Sequence, residues 1–204
     1  MATSSTLTSS TLFVWPFETE LGWLALVGDG RRVTQLVFGC RSRQHALDSL
    51  PKAVREQARV VNWNPALAER LASYATGAPE DFGDVELDLD HLSPFQQKVV
   101  KHCRAIAYGT SVSYGELAAR AGAPRAARAV GNTMAGNRQP LFVPCHRVTK
   151  SGGDPGGYSG PAGRRMKLRL LEMEGRAQTL PQATPKRGSA RSKPSRKKAR
   201  VRSR

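Results

Sequence analysis

The 204-residue sequence predicts an α/β chain in two parts, a strand-led first half and a mostly α-helical second half. Three observations carry this. Apolar runs of β type come first, at 13–15, 21–27 and 33–38, with Gly28-Asp29-Gly30 as the turn between the last two. Helix punctuation dominates after Leu92, where Ser93-Pro94-Phe95-Gln96 and Ser113-x-x-Glu116 both have capping-box form. The composition shifts between the two regions, at His91-Leu92. The expected division is a disordered N-terminus over residues 1–11, an α/β domain over 12–90, a helical domain over 91–176 and a basic disordered tail over 177–204.

In chain order, the first three runs form a hairpin within a meander. Helices follow at 44–50 and 65–76. Asn64 can cap the second, Pro65 takes its first position, Leu67, Leu71 and Tyr74 share a face, and Gly77 ends it. Val85, Leu87 and Leu89 alternate with acids and predict one more short strand. In the second half, Phe95, Val99, Cys103 and Ile106 recur along one helical face, which places Cys103 in a core stripe. A short helix from Ser113 through Ala121 turns the same way inward with Leu117, Ala118 and Ala121. Gly122-Ala123-Pro124 then turns the chain into a helix over 125–135, closed by Gly136-Asn137, and the last helix runs over 164–174 and stops at Gly175.

Two short helices joined by a glycine-containing turn, the second rich in Ala and Gly with a basic start, fit a helix-turn-helix. Ala126, Ala127, Ala129 and Gly131 would let that helix press against another backbone; a helix hairpin packed in the core fits the same pattern. Charge favours the first reading. The chain holds 32 Lys+Arg against 16 Asp+Glu, a net charge of +16, and a polyanion is the natural partner. Ten of the basic residues and no acids lie in 181–204, which leaves 22 against 16 for the rest, a moderate excess.

Three cysteines, Cys40, Cys103 and Cys145, without Cys-x-x-Cys spacing argue against a disulfide framework, and the four histidines do not join them at metal-ligand spacing, so neither metal nor cofactor is expected. No apolar run of transmembrane length and no signal-peptide pattern appears, so the expectation is a soluble protein with no membrane partner.

The chemistry centres on Val143-Pro144-Cys145-His146-Arg147-Val148. A thiol reacts as the thiolate, which needs a base or a positive field, and His146 can act directly or through water. A base needs orienting, usually by a carboxylate. On the last helix Glu174 falls near the face of Met166, Leu170 and Met173, whereas Glu172 points away beside Arg165 and Arg169.

With these residues in view, segment 93–175 resembles the O6-alkylguanine-DNA alkyltransferase family, whose members move an alkyl group from damaged guanine onto their own cysteine. The likeness rests on residues 143–148, preceded by Tyr114, by Ala127-Arg128-Ala129-Val130-Gly131 and by Gly136-Asn137, and followed by Gly157-Tyr158-Ser159 and by Leu170-Leu171-x-x-Glu174-Gly175. The resemblance implies Cys145 as acceptor, His146 as its base through a water, Glu174 orienting His146, and Asn137 bracing the turn before the active-site loop. It implies that Arg128 fills the gap left by the extruded nucleotide, that Tyr114 meets the rotated phosphate and the base, and that Pro144, Val148, Tyr158 and Ser159 line the pocket. Ala127, Ala129, Gly131 and Met134 would complete a helix laid in the minor groove of double-stranded DNA containing O6-alkylguanine, which suits repair that is indifferent to sequence.

The same resemblance implies a ribonuclease-H-like N-terminal domain, a monomer, and a cytoplasmic, nucleoid-associated location, or a nuclear one in a eukaryote. The loop at Pro161-Ala162-Gly163 is slightly longer than in the family pattern, which leaves the pocket wall and the choice of Glu174 over Glu172 open. The expected reaction is stoichiometric and irreversible methyl transfer. Two other readings compete: a lesion-binding module without transfer activity, against which the cysteine at 145 speaks, and a cysteine hydrolase, which leaves the helix pair and the tail unexplained.

Overall fold

A computed structural model describes residues 11–160 and 163–175. The expected disordered N-terminus, apart from Thr11, and the basic tail lie outside the described residues, as do Pro161 and Ala162 of the longer loop.

Three antiparallel strands, β1 (Phe13–Thr19), β2 (Gly22–Gly28) and β3 (Val33–Cys40), form the meander, and a two-residue β4 (Arg59–Val60) adds in parallel to β1, giving the order β3-β2-β1-β4. β1 and β3 extend four and two residues past the apolar stretches that announce them, whereas β2 is shifted by one. Alternating burial along β1 and β3 follows from the two-residue period of a pleated strand, whereas β2, central in the sheet, is buried almost throughout.

Helices cover both faces. On one, Ala46 and Leu50, within and just after α1 (Arg43–Asp48), pack on Val14, Ala25, Val27 and Cys40. On the other, α3 (Pro65–Ala75) and α7 (Arg164–Met173) bury Leu67, Leu71, Tyr74, Met166 and Leu170 against Leu24, Leu26, Leu36 and Phe38. Asn64 caps α3 by accepting from the Leu67 N–H at 3.0 Å. A short α2 (Lys52–Gln57) and β4 lack any sequence signal beyond Pro51 ahead of the helix; α2 buries none of its residues, so no apolar period marks it.

The strand expected over 85–89 is reduced to one bridge, Val33 to Leu87. The free edge of β3 explains this. Val33 exchanges bonds with Glu86 and Asp88, but three residues on, the Leu36 N–H donates to the Arg138 carbonyl, so a second segment occupies the edge before a ladder can lengthen.

The helical half packs α4 (Pro94–Arg104), α5 (Tyr114–Arg120) and α6 (Ala127–Ala135) around Val99, Cys103, Leu117, Val130 and Met134, with Val143, Cys145 and Val148 in the same core. Both capping boxes form, Ser93 with Gln96 and Ser113 with Glu116. Helix α6 starts at Ala127, two residues later than the start at Arg125 that Pro124 suggests. Ala123 to Ala126 make a turn closed by Ala126 N–H to Ala123 carbonyl, and Ala126 offers no capping side chain. Two-residue strands β5 (Val112–Ser113) and β6 (Val148–Thr149) pair in parallel, fixing the segment that follows Cys145 against the start of α5.

Candidate functional site

Cys145 opens a single 3-10 turn, Cys145–Arg147, and is buried with its two neighbours. Leu141, at φ +72°, has the left-handed backbone that bends the chain into the turn, and such strain in a non-glycine residue is held only by its surroundings. Those surroundings are Asn137 and Gln139. Asn137 Nδ2 donates to the Val143 carbonyl at 2.8 Å and reaches Cys145 Sγ at 3.2 Å, while its Oδ1 accepts from the Gln139 N–H at 3.0 Å. Gln139 Nε2 in turn donates to the carbonyls of Thr34 and Asp88, at 3.2 and 2.8 Å, anchoring the turn to β3.

Burial pushes the Cys145 thiol above its usual range; the Asn137 amide, the Lys167 ammonium and the Tyr158 hydroxyl pull it back. Tyr158 is half-buried with its hydroxyl inside, and burial together with the Cys145 sulfur beside it raises its phenol well above normal. Lys167, 1% exposed, donates from Nζ to the Val148 carbonyl at 2.6 Å and lies 5.8 Å from the Tyr114 ring centre. Desolvation lowers it to about 8.

Behind the thiol lies a carboxylate with five donors. Glu174 Oε1 meets His146 Nε2 at 2.9 Å, the Tyr74 hydroxyl at 2.7 Å and Arg147 Nη2 at 3.0 Å; Oε2 meets Arg147 Nε at 2.9 Å and the Gly109 N–H at 3.1 Å. Arg147 is fixed further by the Ile106 carbonyl at 2.6 Å. Gly109, at φ +69°, is required here, because a Cβ would stand 2.8 Å from the Glu174 carbonyl oxygen. Burial opposes the charge on Glu174, yet His146 and Arg147 outweigh it and hold the carboxyl at about 2. His146 is fully buried; burial depresses its pKa despite Glu174, and its Nδ1 has no partner among the described residues. With Nε2 facing an ionised carboxylate, the network assigns the proton to Nε2 and leaves a lone pair on Nδ1. Glu172 is exposed and points away.

A cavity of about 310 Å³ joins this centre to α6, lined by Tyr114, Gly131, Met134, Cys145, Tyr158 and Ser159. A second, of about 420 Å³, also reaches Cys145 from the β3 side, past Phe38, Pro140 and Tyr158. Val148 and Pro144 are buried beneath the turn and line neither of these two cavities. Arg128 and Ala129 are exposed at the start of α6, Ala127 is half-buried, and a Cβ on Gly131 would meet nothing, so that face of α6 is open.

Tyr74, Arg147, Gly109 and Lys167 take part without having been singled out by sequence reasoning for this role. Tyr74 reads as core from its face on α3, and Arg147 as part of a motif. Lys167 carried a usable signal: it lies on the stripe of Leu170, Leu171 and Glu174, where a lysine needs a buried partner. Among the described residues no group of three or more His, Cys, Asp or Glu side chains could hold a metal ion, and no helix is long and apolar enough to cross a membrane.

A mixed sheet with helices presents a buried, hydrogen-bonded cysteine on the segment between a helix pair and the last helix, an arrangement suited to thiol chemistry. Known proteins make this specific. Residues 94–176 match the model described as 6-O-methylguanine DNA methyltransferase, DNA binding domain. The methylated-DNA--protein-cysteine methyltransferase of Mycobacterium bovis is 37% identical over 163 residues, covering 77% of this chain and 88% of that protein; that of Mycolicibacterium paratuberculosis is 44% identical over 104 residues, covering 51% and 62%. Among solved structures, Mycobacterium tuberculosis OGT in complex with DNA superposes with a TM-score of 0.67 at 35% identity, over 80% of this chain and 93% of that one. The chain belongs to the methylated-DNA--protein-cysteine methyltransferase family.

Proposed function

We propose that the protein repairs DNA by direct reversal, taking the alkyl group of O6-alkylguanine onto Cys145 in a single, irreversible turnover. The observation that carries this is the thiol itself, hydrogen-bonded by Asn137 and open to a cavity walled by α6, next in the chain to a buried His146 whose Nδ1 has no partner among the described residues. In the reading, His146 takes the thiol proton, by way of a water, and Glu174 and Arg147 hold the imidazole. The thiolate attacks the alkyl carbon, the carbon–oxygen bond breaks, and guanine leaves with its electron pair on O6, accepting a hydrogen bond from Tyr114. A thioether is a poor leaving group, so the cysteine is spent.

The target oxygen is stacked inside a duplex, so the nucleotide must be extruded. Helices α5 and α6 with the Gly122 turn act as the helix-turn-helix. Helix α6 lies in the minor groove through its small residues Ala127, Ala129 and Gly131, with Met134 on its cavity side, and Arg128 takes the place of the flipped base. The ribonuclease-H-like first domain, over residues 12–90, supports the second through β3, and the protein works as a monomer where genomic DNA lies. Pro144 and Val148 support the pocket from below, and Tyr158 and Ser159 form its wall. The known family members favour transfer over lesion binding alone.

Incubation with an oligonucleotide containing O6-methylguanine, followed by intact-mass and peptide analysis, tests the reading. One methyl group per protein at Cys145 is expected, with binding but no transfer in Cys145→Ala. Repeated turnover, or methylation elsewhere, overturns it.

A further inference from the structure

Tyr74 lies outside the matched segment 94–176, on α3, yet its hydroxyl is within 2.7 Å of Glu174 Oε1 and 3.4 Å of His146 Nε2. We infer that Tyr74 is a positioning residue for the transfer step: its phenol, donating to Glu174, fixes the imidazole of His146 with the proton on Nε2 and Nδ1 free to take the thiol proton. The inference rests on the proposed function for its consequence, though not for its geometry.

The argument is one of donor and acceptor roles. Tyr74 is 1% exposed, and burial beside Glu174 keeps its phenol protonated far above neutral pH, so it is a permanent donor. Its proton goes to the carboxylate, the better acceptor and the shorter contact. Oε1 then accepts from three groups, and the position left to Nε2 is that of a donor to the carboxylate. The ring of Tyr74 is itself held by edge contacts with Phe82 and Tyr108, so the hydroxyl has little freedom.

The other charged or titratable groups around His146 are Arg147 on its own turn, Lys167 on α7, Cys145, and Tyr108, over whose ring Arg147 lies at 5.7 Å. Of the three donors to Glu174 Oε1, which are His146, Arg147 and Tyr74, Tyr74 is the one that competes with His146 without being able to carry a positive charge. Removing its hydroxyl therefore leaves Oε1 more negative toward the imidazole. The sign is definite: the imidazolium becomes easier to form, and the acid limb of the transfer rate moves to higher pH, since a protonated His146 cannot accept from the thiol.

The test uses Tyr74→Phe in the full chain, which keeps the packing against Phe82 and Tyr108. Single-turnover rates on O6-methylguanine duplex from acid to neutral pH should show the acid midpoint raised by roughly half a pH unit to one unit, and a plateau lowered roughly threefold to tenfold. DNA binding should be unchanged. A slower rate with an unmoved midpoint would mean that the tyrosine is only packing, and the inference fails. Imidazole nitrogen-15 spectra of the unsubstituted protein give a second arm independent of activity: His146 should show its proton on Nε2, and a proton on Nδ1 overturns the inference even if no methyl is transferred. Failure of the unsubstituted protein to accept methyl would instead overturn the proposed function alone.

Discussion

Asn137 Nδ2 stands 3.2 Å from Cys145 Sγ while the same nitrogen donates to the carbonyl of Val143 at 2.8 Å. One amide thus supports both the thiol and the backbone that carries it. Alkylation replaces a thiol that the Asn137 amide can bond with a thioether, a weaker acceptor of greater bulk, at a buried turn. The alkylated protein should be less stable than the free one by about 1–3 kcal/mol, read as a lower urea midpoint with unchanged slope. Asn137→Ala should lose a similar amount before any alkylation and transfer methyl at least roughly tenfold more slowly.

Glu174 links acidity to stability. Its folded-state pKa, about 2, lies below the ordinary 4.5, so its contribution is complete above about 4.5 and is lost as pH falls through 2. The difference is worth about 3 kcal/mol. Glu174→Gln, which strands the Arg147 guanidinium, should cost about 3–5 kcal/mol at neutral pH, and the gap to the unsubstituted protein should narrow toward pH 2 in chemical denaturation.

Lys167 shifts the same way for a different reason: in it the charged form is the one that folding disfavours. Burial lowers it from 10.5 to about 8, so the folded state pays for holding its proton, and stability should rise as pH climbs from about 8 toward 10.5. Its ammonium also lowers the thiol of Cys145. Lys167→Met should move the pH midpoint of Cys145 alkylation by iodoacetamide upward, and a midpoint unchanged or lowered would count against the electrostatic role.

Arg128 separates extrusion from chemistry. If it fills the vacated stack, Arg128→Ala should slow repair of duplex roughly tenfold more than dealkylation of the free modified base, because only the duplex reaction includes flipping. Equal losses on both substrates would contradict that role.

The basic residues of 181–204 should act through counterion release. Their deletion should weaken DNA binding and flatten the dependence of affinity on salt concentration by several units of slope, leaving transfer intact at low salt. An unchanged slope would exclude them as a DNA contact.

Much of the frame could be read from the sequence because its signals are local. Capping boxes at Ser93 and Ser113, and the apolar runs that became β1 and β3, need no tertiary context. The 85–89 run failed as a strand for a reason no local pattern contains, the Arg138 carbonyl already on the edge of β3. The same limit holds at the site. The inward placement of Glu174 follows from helical angles, and its contact with His146 is one that those angles permit. Tyr74 is another matter: on α3 its ring is an ordinary core side chain, and only the crossing of α3 and α7 puts its hydroxyl on a carboxylate a hundred positions away. Arg147 stands between these cases, next to the cysteine in sequence but turned toward the far end of the chain.

Glu174 is contributed by the final described turn, past every other member of the network in chain order. Cys145 and His146 thus precede in the chain the carboxylate that orders the imidazole, and the network closes only when the end of α7 docks behind the turn.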